Sequence, residues 1–97
     1  MAFVQIMEFS AADLEAVRAL VQEFVETTEG KRTARRSVLL GDRAAPGRYV
    51  NVVFFDSYES AMENSNLPEV QSMAGKMSSM VEGLSFRDLD VVDDLEL

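Results

Sequence analysis

The stretch "YVNVVFFDSYESAMENSNLPEV", Tyr49 to Val70, carries the most structural information per residue in this chain. Its opening alternates: Val50, Val52 and Phe54 form one wholly apolar set, while Tyr49, Asn51, Val53 and Phe55 form another that is apolar apart from a single amide. β-Branched and aromatic residues in that pattern read as a strand, and a strand apolar on both sides must be covered on both sides. Asp56 with Glu59 three positions on is a capping-box-like start for the short helical segment "YESAMEN". Asn66 with Glu69 repeats the device, and Pro68 falls in a first turn, where its missing N–H costs nothing. The stretch therefore reads as strand, helix, interruption, helix. An interrupted helix lets the chain bend, so the break at 65–68 is expected to shape the mouth of a pocket between helix and sheet.

Working outward, Ala2 to Phe9 alternates as Phe3, Gln5, Met7, Phe9 against Val4, Ile6, Glu8, a first strand. Ser10 and Asp13 suggest a cap for "AADLEAVRALVQEFVE", whose Leu14, Val17, Leu20, Val21, Phe24 and Val25 recur at helical spacing until Gly30. "TARRSVLL", Thr33 to Leu40, is a less regular strand, and "GDRAAPGR" is a loop before Tyr49. After Pro68, Val70, Met73, Ala74, Met77, Met80 and Val81 keep helical spacing until Gly83, and "LSFRDLDVVDDLEL" alternates as a fourth strand with an acidic tail. The order is βαββαβ in a single domain, residues 1–97: an α+β, ferredoxin-like fold with a four-stranded antiparallel sheet. Two helices cover only one face of such a sheet. Placing Phe3, Met7, Phe9, Tyr49, Val53 and Phe55 on the other face leaves an apolar patch that a second copy would cover, so a homodimer is expected.

Composition removes whole classes of chemistry. The 97 residues contain no cysteine, no histidine and no tryptophan. That excludes thiolate nucleophiles, Cys- or His-built metal and haem sites, and catalysis by histidine. Seventeen acidic against nine basic side chains give a net charge of −8. Such a surface repels phosphate backbones and anionic lipid, so neither nucleic acid nor a membrane is an expected partner. "MAFVQIMEF" lacks the basic and long apolar regions of a leader, and a cytoplasmic location is expected.

"FFDSYESAMENSNLPEV", with the apolar first strand and capped first helix, resembles the dimeric α/β-barrel superfamily, and within it antibiotic-biosynthesis-monooxygenase-like (ABM-like) domains. The family's His-x-x-x-Pro segment is matched with Asn64 at the histidine position and Pro68 in register. The resemblance implies a homodimer whose sheets face each other in a barrel, with a pocket between each sheet and its helices or in the barrel interior. It also implies either cofactor-independent oxygenases of phenolic substrates or haem-degrading enzymes. The haem branch relies on a histidine, a tryptophan and a strand-one asparagine; this chain lacks the first two and has Met7 or Glu8 in the comparable region.

Two functions follow. One is a monooxygenase without cofactor acting on a small aromatic or apolar metabolite, in which the substrate's own electron-rich ring activates oxygen. The other is a non-catalytic small-ligand-binding or accessory dimer of the same fold. Tyr49, Asn51, Tyr58 and Asn64 are the candidate catalytic groups, phenols and amides being able to position a phenolic substrate or handle its proton. Phe3, Met7, Phe55, Met73, Met77 and Arg87 are the candidate ligand-binding residues, and no metal ligand set is expected. Each has a plainer reading as core packing, a structural hydrogen bond or solvated charge.

Overall fold

The computed structural model describes residues 2–97. Its elements run β1 (Phe3–Ser10), α1 (Leu14–Thr27), β2 (Arg36–Gly41), β3 (Arg48–Phe55), α2 (Tyr58–Ser65), α3 (Pro68–Met80) and β4 (Glu82–Asp90). The strands form one antiparallel sheet in the order β2-β3-β1-β4. This is the βαββαβ ferredoxin-like arrangement, with its second helix in two pieces as the proline implied.

Register decides which residues share a face. Phe3 pairs with Phe55, Met7 with Asn51 and Phe9 with Tyr49, so these and Val53 lie on one side. That side faces the helices. Met7 and Phe9 are buried with Val17 and Leu20 of α1 and Met77 of α3, and Phe3 and Phe55 are buried with Ala61 of α2. The open face instead carries Val4, Ile6, Val38, Val50, Val52, Phe54 and Leu89. The expectation that Phe3, Met7, Phe9, Tyr49, Val53 and Phe55 form the uncovered patch is therefore corrected: they are the core. Alternation fixes which residues share a face, and in strands apolar on both sides it cannot say which face the crossover helices take.

The helix starts also differ from the sequence reading, because other residues occupy the N-cap positions. Ser10 remains in β1, its hydroxyl accepting from the Arg48 guanidinium at 3.1 Å, and Asp13 caps α1 by accepting from the Ala16 N–H at 3.1 Å. Asp56 is engaged by Arg35, and Ser57 caps α2 in a reciprocal box with Ser60. Asn66 closes α2 instead of opening α3, which begins at Leu67 without a side-chain cap, and Glu69 takes Lys31 at 2.7 Å. The first helix ends at Thr27, where the Thr28 N–H returns to the Phe24 carbonyl, before Gly30 is reached. Gly83 sits inside β4, not at a helix end; its φ of +63° falls where the β1–β4 register shifts between Glu8 and Ser10.

Candidate functional site

A partly open cavity of about 180 Å³ lies between the helix-facing side of the sheet and the three helices. α1 contributes Leu20, Val21 and Phe24; α3 contributes Val70, Met73, Ala74 and Met77; the sheet contributes Met7, Val53, Phe55, Leu84 and Phe86. Asn64 and Ser65 at the end of α2, with Val70 and Gln71 at the start of α3, line it from either side of the interruption. The break at Asn66–Leu67 thus turns the chain around one side of the cavity. No Asp, Glu, Lys, Arg or Tyr is among the lining residues.

Two buried amides give this apolar space its polarity. Asn51, on the helix face of β3, accepts at Oδ1 from the Ser37 hydroxyl of β2 at 3.0 Å. Asn64 accepts at Oδ1 from the Thr33 N–H at 3.1 Å, and the Thr33 hydroxyl in turn donates to the Ser60 carbonyl, stitching the chain before β2 to α2. That stitch is why the regular strand begins at Arg36 and not at Thr33. Neither carboxamide nitrogen has a partner among the described residues, although no fully enclosed side-chain nitrogen or oxygen there lacks one. The two Nδ2 groups must therefore be reached from open space, and both residues line this cavity. Unpaired amide donors at an apolar site favour a ligand oxygen, above all one bearing negative charge.

The other candidate residues are distributed differently. Met7, Phe55, Met73 and Met77 line the cavity with the two asparagines. Phe3 lies behind it, packed on Phe55 and edge-on to Tyr58 with ring centroids 5.5 Å apart. Tyr58 is half exposed at the start of α2, and Tyr49 packs on Phe9 at 5.9 Å at the far end of the sheet. Neither tyrosine lines the cavity. Arg87 pairs with Ile6 and so belongs to the open face, across the sheet from the helices. Sequence reasoning passed over Ser37, which orients Asn51, and Gln5, which lines the cavity while donating to Asp88 at 3.3 Å. The signal for Ser37 was its alternation with Leu39 in β2, obscured by the irregular start of that strand.

Beside the cavity, an open cleft of about 610 Å³ runs between α1 and β2. Val21, Phe24, Ser37 and Asn51 line both, so the two spaces adjoin. At the cleft wall Arg35 donates to Asp56 at 2.7 Å. This hydrogen bond, with the charge attraction behind it, raises the arginine and holds the Asp56 carboxyl below the usual aspartate value. A depressed folded value means that the contribution is present above the unfolded value and is lost as pH falls through the folded one. Both side chains are largely exposed, so the effect on stability is small. An NMR titration should place the Asp56 midpoint below the ordinary value of about 3.9, and Arg35→Gln should restore it; a midpoint that the substitution leaves unmoved would show that the pair does not form in solution.

No family profile and no curated protein matches the sequence. Solved structures match throughout the chain. A crystal structure of SnoaB, a cofactor-independent oxygenase from Streptomyces nogalater, as a variant with one asparagine replaced by alanine, superposes with a TM-score of 0.82 over 97% of this chain and 96% of its own, at 10% identity. The chain has an ABM-like fold. Rv0793 from Mycobacterium tuberculosis matches with a TM-score of 0.78 at 16% identity, covering 99% of this chain and 100% of that one. An antibiotic biosynthesis monooxygenase matches at 0.72 and 17% identity, covering 96% and 100%. At these identities the ABM-like likeness is one of fold, and the chemistry of this cavity rests on its own residues.

Proposed function

We propose that the protein is a cofactor-independent monooxygenase of a small aromatic metabolite, working as a homodimer. The observation that carries this reading is the pair of buried, unpaired carboxamide donors, Asn51 and Asn64, in a mainly apolar cavity. A phenol with a hydrogen on its para carbon, its oxygen meeting those N–H groups, is stabilised as the phenolate, the electron-rich form that reacts with oxygen. The ring carbon para to that oxygen takes up O₂ as a hydroperoxide, which loses water to leave the quinone: one phenol and one O₂ give one quinone and one water. With no ionisable side chain lining the cavity, the phenolic proton leaves to solvent through the adjoining cleft. The apolar walls exclude water from the peroxide.

The open sheet face supports the dimer. Val4, Ile6, Val38, Val50, Val52, Phe54 and Leu89 lie together without a helix over them, and in the tail beyond β4, Val92 is 93% and Leu95 71% exposed. An isologous second sheet buries such a surface. The absence of an acid or base from the cavity lining favours a second reading, a binding or accessory protein that holds the same ligand without turnover.

An oxygen electrode separates the two. Chelator-resistant uptake with an electron-rich phenol, one O₂ per quinone formed and no hydrogen peroxide released, is the expected result. A flat trace across a panel of such compounds, together with saturable binding of one of them, would replace the enzyme by the binding protein.

A further inference from the structure

The chain is strongly acidic, yet one concavity gathers its cations. Arg18 on α1 and Arg32, Arg35 and Arg36 on the segment entering β2 contribute to the walls of the open cleft, against a single lining carboxylate, Glu15. Arg36 does not turn its charge inward, since its guanidinium lies 5.5 Å from the centroid of Phe54 on the open sheet face. Arg18 and Arg35 each share a carboxylate, Glu15 at 3.3 Å and Asp56 at 2.7 Å. Arg32 has no carboxylate partner among the described residues. It is half-buried, and one terminal nitrogen is fixed on the Val25 carbonyl at 2.8 Å, at the end of α1. The same nitrogen makes a long contact to the Thr28 hydroxyl, and the other side-chain donors of Arg32 have no partner among the described residues.

We propose that Arg32, flanked by Arg18 and Arg35, is an anion subsite taking the carboxylate of a ligand whose aromatic body occupies the adjoining cavity. The inference rests on the reading that the cavity takes a small aromatic ligand and adds the chemical class: an aromatic acid. A guanidinium anchored by one nitrogen presents a preset fork to two carboxylate oxygens, and partial burial strengthens the pairing relative to water. The lining shared by cleft and cavity, Val21, Phe24, Ser37 and Asn51, gives such a ligand a continuous path from its charged end to its apolar end. Elsewhere the net charge of −8 disfavours anions, so the cleft also directs their approach.

Fluorescence titration of the full chain with 1-naphthol and 1-hydroxy-2-naphthoate at low salt tests this. The acid should bind about tenfold more tightly or better than the neutral phenol. Arg32→Gln should remove most of that preference while leaving naphthol within about twofold. Glu15→Gln, which deletes the lining carboxylate, should tighten the acid and leave naphthol unchanged. Arg32 also ties down the end of α1, so thermal unfolding is measured beside the titration. Arg18→Gln, at an exposed side chain, provides a second variant that should weaken only the acid. Equal affinity for the two probes, or a preference that survives both arginine changes, overturns the subsite while the cavity reading stands. Failure of both probes to bind overturns the cavity reading and the subsite with it.

Discussion

Val52→Glu should turn a dimer into a folded monomer. Val52 sits mid-strand on β3, between Ile6 of β1 and Val38 of β2, on the sheet face that no helix covers. In a single chain a carboxylate there points to water, and the core on the other face of the sheet is untouched. In a face-to-face dimer the two-fold axis brings two such carboxylates into one desolvated layer; Arg36 and Arg87 share that face, so the substitution is made together with Arg36→Gln and Arg87→Gln, which removes the cations nearest to it. Burying an unpaired charge costs at least several kcal/mol, so a loss of about 4 kcal/mol, roughly a thousandfold in the dissociation constant, is a lower bound. Sedimentation velocity at micromolar concentration should show the parent as a dimer and the variant as a monomer with an unchanged far-ultraviolet spectrum. Val52→Thr with the same two arginine changes, which keeps the shape without the charge, should remain dimeric. A parent that sediments as a monomer would remove the dimer outright.

Asn64→Asp should lower kcat on the order of a hundredfold, at a cost in stability because Asn64 is buried and a carboxylate there has no cation beside it. The substitution keeps an oxygen that can accept the Thr33 N–H, so the stitch between α2 and the chain entering β2 survives. What disappears is the unpaired donor, replaced by an acceptor that repels a developing phenolate. Removing one donor to an oxyanion typically costs about 10²–10³ in kcat. Asn64→Ala should match this loss in rate and leave the Thr33 N–H without its partner, at about 1–3 kcal/mol of stability. Asn51→Ala should separate the two effects. Its partner is the Ser37 hydroxyl, which can rotate, so turnover should fall steeply with little change in thermal unfolding. Unchanged kcat in Asn64→Asp and Asn51→Ala would exclude both amides from the chemistry.

The two asparagines also show how far the site was legible beforehand. Asn51 was conspicuous as the single polar side chain in "YVNVVFF", and Asn64 stood at the fixed distance before Pro68 that the ABM-like resemblance picks out. Their burial, their shared cavity and their free Nδ2 groups were not legible, because each is anchored by a residue far along the chain, Ser37 and Thr33. The tyrosines drew attention by residue type alone. Packing against Phe9 and Phe3 places them away from the cavity, a consequence of where the strand ends and the helix begins.

Local pattern by itself determined the element order, the alternation in β1 and β3, the helical spacing of Leu14 to Val25 and of Val70 to Val81, and the break forced at Pro68, because periodicity and the missing proline N–H act within a few residues. Absence of cysteine and histidine likewise bounded the chemistry from composition. Only the tertiary structure decided which face of the sheet is the core, since both faces of β1 and β3 are apolar and the choice belongs to the path of the crossover helices. It also decided the caps: α2 begins at Tyr58 and α1 at Leu14, which puts Ser57 and Asp13 at the N-cap positions and leaves Asp56 to Arg35 and Ser10 in β1. The helix starts follow from where β1 and β3 stop, which is settled when the strands align.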